Sequence, residues 1–216
     1  MKNRNYKGKI MAIIDATFFS EKYDVRDFIM VRNPELREVA GKLKGRMKRQ
    51  SALNVVKFVA RNFEYPFDWK ARPTTARYVK VFRFWNGFYL YENFTDYAWL
   101  FPNQLLHVRK GICIDTSNLA TTLHRILGVP SFTVLGGIWK KTRRKKKFLG
   151  LHAWNMFSFS GKWFVFETTV HPREEWFPLE QAVSGELGII YDEIARFDEK
   201  TYVERKEKIE EYGEFL

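Results

Sequence analysis

One cysteine, one histidine and one glutamate in this chain have the types and the order that acyl chemistry needs. Cys113 is the only cysteine, and it lies in Gly111-Ile112-Cys113-Ile114-Asp115, where a helical pattern begins. His152 follows in Leu151-His152-Ala153-Trp154, and Glu167 in Trp163-Phe164-Val165-Phe166-Glu167. A thiol, an imidazole and a carboxylate are the parts of a nucleophile, its base and the group that orients the base. Brought together, they would attack a carbonyl carbon. A lone cysteine at a helix start is otherwise a small buried hydrophobe, so its chemistry depends on the elements that carry all three residues.

From Asp115 to Leu127 the apolar period is helical, with Leu119, Leu123, Ile126 and Leu127 on one stripe and Gly128 and Pro130 as the stop. Cys113 then sits where unpaired backbone N–H groups favour a thiolate and can hold an oxyanion. Asp115 suits the same helix end as an acceptor for backbone donors rather than as a catalytic group. Ser131 to Trp139 reads as a strand, Phe148 to Phe159 as a second, Ser160-Gly161 as a tight turn and Lys162 to Thr168 as a third. If Phe159 faces Lys162, Trp154 lies opposite Glu167 and His152 opposite Thr169. His152, Trp154, Trp163, Val165 and Glu167 then share one sheet face, with Glu167 diagonal to His152 at roughly 7–8 Å between Cα atoms. Ala153, Phe157, Phe159, Phe164 and Phe166 share the other. Both faces are largely apolar, which predicts a hairpin covered on both sides. A slip of one residue at the turn would carry Glu167 to the wrong face.

The remaining chain supplies support. Pro34, Glu35, Leu36, Val39, Ala40, Leu43 and Met47 suggest a first amphipathic helix. Ala52, Val55, Val56, Val59, Ala60 and Phe63 suggest a second, capped by Ser51 and ending before Tyr65-Pro66. Residues 67–100 are dense in aromatics without a clean period and read as loops and short helices. Ile10 to Ile14 reads as a short strand or helix, because Asp15 interrupts what would otherwise resemble a signal sequence. From about Ile189, Glu and Lys alternate at helical spacing, which suggests an exposed charged helix. At 216 residues, 45% hydrophobic and 29% charged, the composition is that of a folded domain and excludes a disordered one. The expectation is a single domain over residues 1–216 with a core at about 51–172, an N-terminal helical extension and a C-terminal charged helix.

These motifs resemble the transglutaminase-like superfamily of papain-fold thiol enzymes. The resemblance rests on Gly111-Ile-Cys113-Ile-Asp115, Leu119 through Leu127-Gly128-Val129-Pro130, His152-Ala153-Trp154 and Gly161-Lys-Trp163 with the acidic residue beyond. Asn62-Phe63-Glu64-Tyr65-Pro66 and Trp99 to Lys110 are similar too. It implies an α+β fold in which N-terminal helices pack on an antiparallel sheet and the catalytic cysteine sits at a helix N-terminus. It also implies a Cys113–His152–Glu167 triad. Relatives in such a family cross-link proteins, hydrolyse peptides or amides, remove glycans, or have lost activity. The family's third member is usually Asp followed by Pro; here it is Glu167 followed by Thr168-Thr169. Asn155 is a fallback orienter whose parity puts it on the wrong face. An upstream side chain often flanks the oxyanion in this family, and Gln104 is preferred to Trp99 for that place because its amide can donate.

The leading expectation is a cytoplasmic thiol enzyme that forms a thioester with a peptide or carboxamide carbonyl. No calcium-site motif is visible, which favours hydrolysis by a protease or amidase over cross-linking acyl transfer. The alternative is a catalytically silent module that holds an acidic partner or nucleic acid. A lone cysteine excludes an intramolecular disulfide and a cysteine-based zinc cluster and fits a reducing compartment. No metal or cofactor is expected, and no apolar stretch is long enough to span a membrane. The net charge is +12, concentrated in Lys140, Lys141, Arg143, Arg144, Lys145, Lys146 and Lys147. This run reads as a hairpin-tip loop, solvated or else placed to recruit an acidic substrate or a nucleic acid.

Overall fold

The computed structural model describes residues 13–15, 22–65, 80–83, 89–92, 99–142, 145–170 and 173–212. Its centre is a six-stranded antiparallel sheet of order β10-β9-β5-β6-β7-β8. Its strands are β5 (Ser131–Lys141), β6 (Lys146–Phe159), β7 (Lys162–Phe166), β8 (Trp176–Pro178), β9 (Ile189–Phe197) and β10 (Tyr202–Glu204). Before them come the ribbon β1 (Ile13–Asp15) with β2 (Lys22–Asp24), a 3₁₀ turn at Val25–Phe28, α1 (Pro34–Leu43) and α2 (Lys48–Asn62). The ribbon β3 (Lys80–Arg83) with β4 (Tyr89–Glu92), α3 (Pro102–Val108) and α4 (Cys113–Ile126) complete the first half. Two short helices, α5 (Leu179–Ser184) and α6 (Lys206–Glu211), interrupt the second.

The β6–β7 register is the one the two-residue turn predicts: Phe159 pairs with Lys162 and Asn155 with Phe166. Ser160 and Gly161 both take positive φ, 52° and 74°, the geometry that matches the twist of the flanking strands. The hairpin is covered on both faces. On one, Phe157, Phe164 and Phe166 join Leu119 and Leu123 of α4 and Val55, Val56 and Val59 of α2. On the other, Val134, Trp154, Met156, Val165 and Tyr191 join Ala182 of α5. The fold is therefore α+β, helices on an antiparallel sheet, with Cys113 as the first residue of α4.

Several local expectations are corrected. The tail is a sheet strand, not an exposed helix: Ile190, Tyr191, Ile194, Ala195 and Phe197 are buried, and β9 pairs with β5. Only Lys206–Glu211 remains helical there. Ser51 is not the cap of α2 but lies inside it, where its hydroxyl accepts the Gly45 N–H at 2.9 Å and donates to the Met47 carbonyl at 3.3 Å. α1 ends at Leu43, so Met47 lies outside it. The basic run is less a loop than an extension of the β5–β6 hairpin, since Lys140, Lys141, Lys146 and Lys147 are strand residues; Arg143 and Arg144 lie outside the described residues. Within the aromatic stretch 67–100, β3 and β4 replace the expected loops and short helices, and most of the rest lies outside the described residues, as do residues 1–12. Among the described residues no helix is long and apolar enough to cross a membrane.

Candidate functional site

α4 begins at Cys113 because the residue before it is extended and the side chain of Asp115 folds back on the turn. Asp115 accepts the Ile112 N–H at 3.0 Å and the Leu100 N–H at 2.7 Å. It therefore serves as the acceptor for backbone donors that the sequence suggests, and it also ties the approach strand at Leu100 to the cysteine turn. Burial pushes its carboxyl up to about 7 even though both N–H groups favour the anion. The first N–H groups of α4, on Cys113 and Ile114, have no intrahelical acceptor. Cys113 itself is partly exposed and packs against the apolar cluster of Ile114, Ala153 and Phe197, together with Ile112 and Trp99.

Thr168 fastens this helix end to the sheet. Its hydroxyl is 2.9 Å from that of Thr116, 3.0 Å from that of Ser117 and 3.4 Å from the Cys113 carbonyl. Thr168 thus brings a buried hydroxyl that clasps the first turn of α4.

His152 and Glu167 meet as the register predicts. Nε2 of His152 lies 2.9 Å from one carboxylate oxygen of Glu167 and 3.1 Å from the other. That leaves Nδ1 for the thiol, and the Cys113 side chain is hydrogen-bonded to the same ring. Burial alone would lower the His152 pKa and is the largest single influence. The Glu167 charge and the hydrogen bonds from Cys113 and Glu167 outweigh it and hold the imidazole well above its ordinary 6.5. Burial likewise works to raise the Glu167 pKa, but the facing His152 and the Thr169 donors bring it down to about 2. The ring and the carboxylate therefore form an ion pair at neutral pH.

The carboxylate has more partners than the sequence suggests. One oxygen accepts the Thr169 N–H at 3.0 Å and its hydroxyl at 2.7 Å. The other accepts the Tyr191 hydroxyl at 2.9 Å. Both partners can be named from sequence only once β9 is known to be a strand and Glu167 the end of one. The longer Glu is thus pinned at both oxygens, which fixes an orientation that length alone leaves open. Trp154 stacks 6.4 Å from the His152 ring. Gly136, the register partner of His152, leaves that space: a Cβ there would sit 2.5 Å from the Trp154 ring and 2.2 Å from the Asp192 carbonyl.

The other candidates lie elsewhere. Asn155 turns to α4, donating to Thr121 and Ser131 at 2.8 Å each. Gln104 folds back to accept the Phe101 N–H at 2.8 Å, which caps α3. Among the described residues no hydrogen bond joins Gln104 to Cys113 or His152, whereas Trp99 shares the Cys113 cluster.

Residues 70–168 match the family model of the transglutaminase-like superfamily. A search of curated proteins finds no match. Among solved structures the chain is similar to LapG of Legionella pneumophila, at 12% identity over 88% of this chain and 90% of that one, with a TM-score of 0.48. It is also similar to a candidate cysteine protease from Cytophaga hutchinsonii, at 14% identity over 91% of this chain and 57% of that one, with a TM-score of 0.46. A structure titled as a TGase matches at 21% identity over 78% of this chain and 35% of that one, with a TM-score of 0.39. The likeness to the superfamily rests on the match over residues 70–168.

Proposed function

We propose that this protein is a thiol-dependent hydrolase of peptide or carboxamide bonds, with Cys113 as nucleophile, His152 as its acid–base partner and Glu167 as the orienting carboxylate. The observation that carries the proposal is the single His152 ring held between the Cys113 side chain and the Glu167 carboxylate.

The steps follow from these positions. The Cys113 sulfur adds to the carbonyl carbon, and the new oxyanion is taken by the N–H groups at the start of α4. Collapse of the adduct breaks the C–N bond, and the leaving amine takes its proton from His152. This leaves a thioester on Cys113. Water then attacks the thioester while His152 accepts its proton, and the second collapse releases the acid and restores the thiolate. Glu167 balances the imidazolium throughout and keeps the ring aligned.

Trp99 joins Gln104 as a candidate donor to the oxyanion. Trp99 and Cys113 pack against the same apolar cluster, and an indole N–H is a hydrogen-bond donor. Water is favoured as acceptor over a lysine amine on charge grounds. The protein carries +12, and an attacking lysine is itself cationic until deprotonated.

The test is labelling of Cys113 by a small neutral thiol reagent in wild type and in His152→Ala, followed by mass analysis of peptides incubated with and without a primary amine. A His152-dependent label supports the proposal when it comes with two peptide fragments whose masses sum to the substrate plus one water, or with a carboxamide that has exchanged ammonia for water. Labelling indifferent to His152 overturns it, and incorporation of the amine redirects it to acyl transfer.

A further inference from the structure

Among the described residues, β6 is paired on one side only where it passes the site. β7 covers Asn155 to Phe159, while β5 pairs with β6 from Phe157 to Lys146. Among the described residues no strand pairs with Gly150 to His152 on the β7 side. The edge is not sealed by side chains either, since Leu149 and Leu151 are 46% and 44% exposed. An unpaired edge presents alternate N–H and C=O groups that an extended chain can complete.

That edge leads from His152 to the lysines. The register partners are Gly136 with His152, Ile138 with Gly150, and Lys140 with Lys147. Because Gly136, Ile138 and Lys140 alternate along β5, Lys147 and Lys140 share the His152 face of the sheet. Gly136 to Lys140 spans about 13 Å at the rise of a strand. Lys141 pairs with Lys146 one position further on. Two successive cross-strand pairs of like charge are unfavourable in an isolated sheet. Lys140, Lys145, Lys146 and Lys147 are all exposed, and among the described residues no carboxylate forms an ion pair with them.

We propose that an extended peptide adds as an antiparallel strand to the Gly150–His152 edge of β6, and that acidic residues lying four to six positions C-terminal to its reacting residue are held by Lys140, Lys145, Lys146 and Lys147. The polarity follows from the pairing. β6 runs from Lys146 toward His152, so an antiparallel partner runs from His152 toward the lysines. A nucleic acid fits this surface less well. Stacking needs free aromatic faces, and the rings at this end of the hairpin, Trp139 and Phe148, are packed against each other and against Tyr212. The substrate preference rests on the proposed thiol chemistry, but its binding step can be measured separately.

The experiment uses Cys113→Ala protein and fluorescein-labelled peptides of twelve residues centred on glutamine. One carries four aspartates on the C-terminal side, one carries them on the N-terminal side, and one carries none. A single-stranded oligonucleotide is the fourth probe. The C-terminal aspartate peptide is expected to bind about tenfold tighter than the neutral one at low salt. The gain should vanish in Lys145→Glu/Lys146→Glu/Lys147→Glu and shrink as salt rises. N-methylation of alternate amides at the centre of that peptide should weaken binding at one parity and not at the other. Equal binding of the two aspartate peptides, or indifference to N-methylation at either parity, overturns strand addition. Tighter binding of the oligonucleotide with a steep salt slope overturns the peptide assignment in favour of nucleic acid. His152-dependent labelling of Cys113 in the unmutated protein is read in parallel, so failure of the chemistry and failure of this docking mode give different results.

Discussion

Tyr191 of β9 donates its hydroxyl to the same Glu167 oxygen that lies 2.9 Å from His152 Nε2. The tyrosine is buried, and burial together with the Glu167 charge drives its pKa upward, so it acts only as a donor. Tyr191→Phe keeps the ring against Trp154 and Phe177 but removes one donor from a buried carboxylate. A hydrogen bond to a charged group contributes about 1.5–3 kcal/mol. The variant is expected to lose about that much stability at neutral pH and to turn over about tenfold more slowly, with peptide binding unchanged. Thermal unfolding and steady-state kinetics check both.

Glu167→Gln isolates the carboxylate charge. With the charge gone, burial, which lowers the imidazole pKa, is opposed only by the hydrogen bonds that remain. The His152 pKa should therefore fall toward or below 6.5, as read from the pH dependence of its ring resonances. Turnover should fall more than binding, because the lost interaction is with the charged ring. An unchanged titration would remove Glu167 from the proton inventory.

Much of this site is legible in sequence because its parts are local. The two-residue turn at Ser160-Gly161 sets the β6–β7 register, and that register alone brings Glu167 to His152. The apolar stripe of α4 sets where the helix begins, and hence the place of Cys113. β9 is not legible for an identifiable reason. Its pairing with β5 shifts between Leu135 and Gly136, where Ala195 and Glu193 are successive partners and Ile194 is the extra residue. The bulge breaks the period of two, so the buried positions fall at Ile190, Tyr191, Ile194, Ala195 and Phe197. Those intervals imitate a helix. Tyr191 was hidden by the same shift. The place of Gln104 is less legible for a different reason: a side chain that can donate to an oxyanion can also cap its own helix, as its amide oxygen does for the Phe101 N–H.

The ion pair makes a signed prediction for stability against pH. Glu167 falls from an ordinary 4.5 to about 2 on folding, so its contribution is complete above 4.5 and is lost as pH falls toward 2. His152 rises well above its ordinary 6.5, so its contribution is complete below 6.5 and is lost as pH climbs through the folded value. Both are present together between about 4.5 and 6.5. The stability difference between wild type and His152→Ala/Glu167→Gln should peak in that window and narrow on both sides. Unfolding in denaturant across the pH range measures it, and a difference independent of pH would dismiss the ion pair.

Trp99→Phe tests the oxyanion donor while keeping an aromatic ring against Ile114 and Ala153. Loss of one preformed donor costs about a hundredfold in the acylation step. Gln104→Leu, which removes only the cap on Phe101, should leave that step unchanged and lower stability by about 1 kcal/mol. Single-turnover kinetics on one amide substrate compares the two. Equal losses would return the oxyanion place to Gln104.

The hairpin arm carries the last prediction. Lys140 faces Lys147 and Lys141 faces Lys146 across the strands, and among the described residues only Lys141 finds an acceptor, the Ser184 carbonyl at 2.7 Å. Like charges directly opposite each other destabilise a sheet by about 0.2–1 kcal/mol per pair. Lys146→Gln/Lys147→Gln relieves both pairs at once and keeps the length and polarity of the side chains. The free protein should therefore become more stable, by about 1 kcal/mol at low salt. The gain should fade as salt screens the repulsion in the wild type. Labelling of Cys113 by a small neutral reagent should not change, since neither lysine touches the reacting groups. Unfolding midpoints for both proteins over a salt series settle the matter. A variant that is less stable than wild type at low salt would mean that these lysines hold the arm together, and that their repulsion is not held in reserve for an acidic chain.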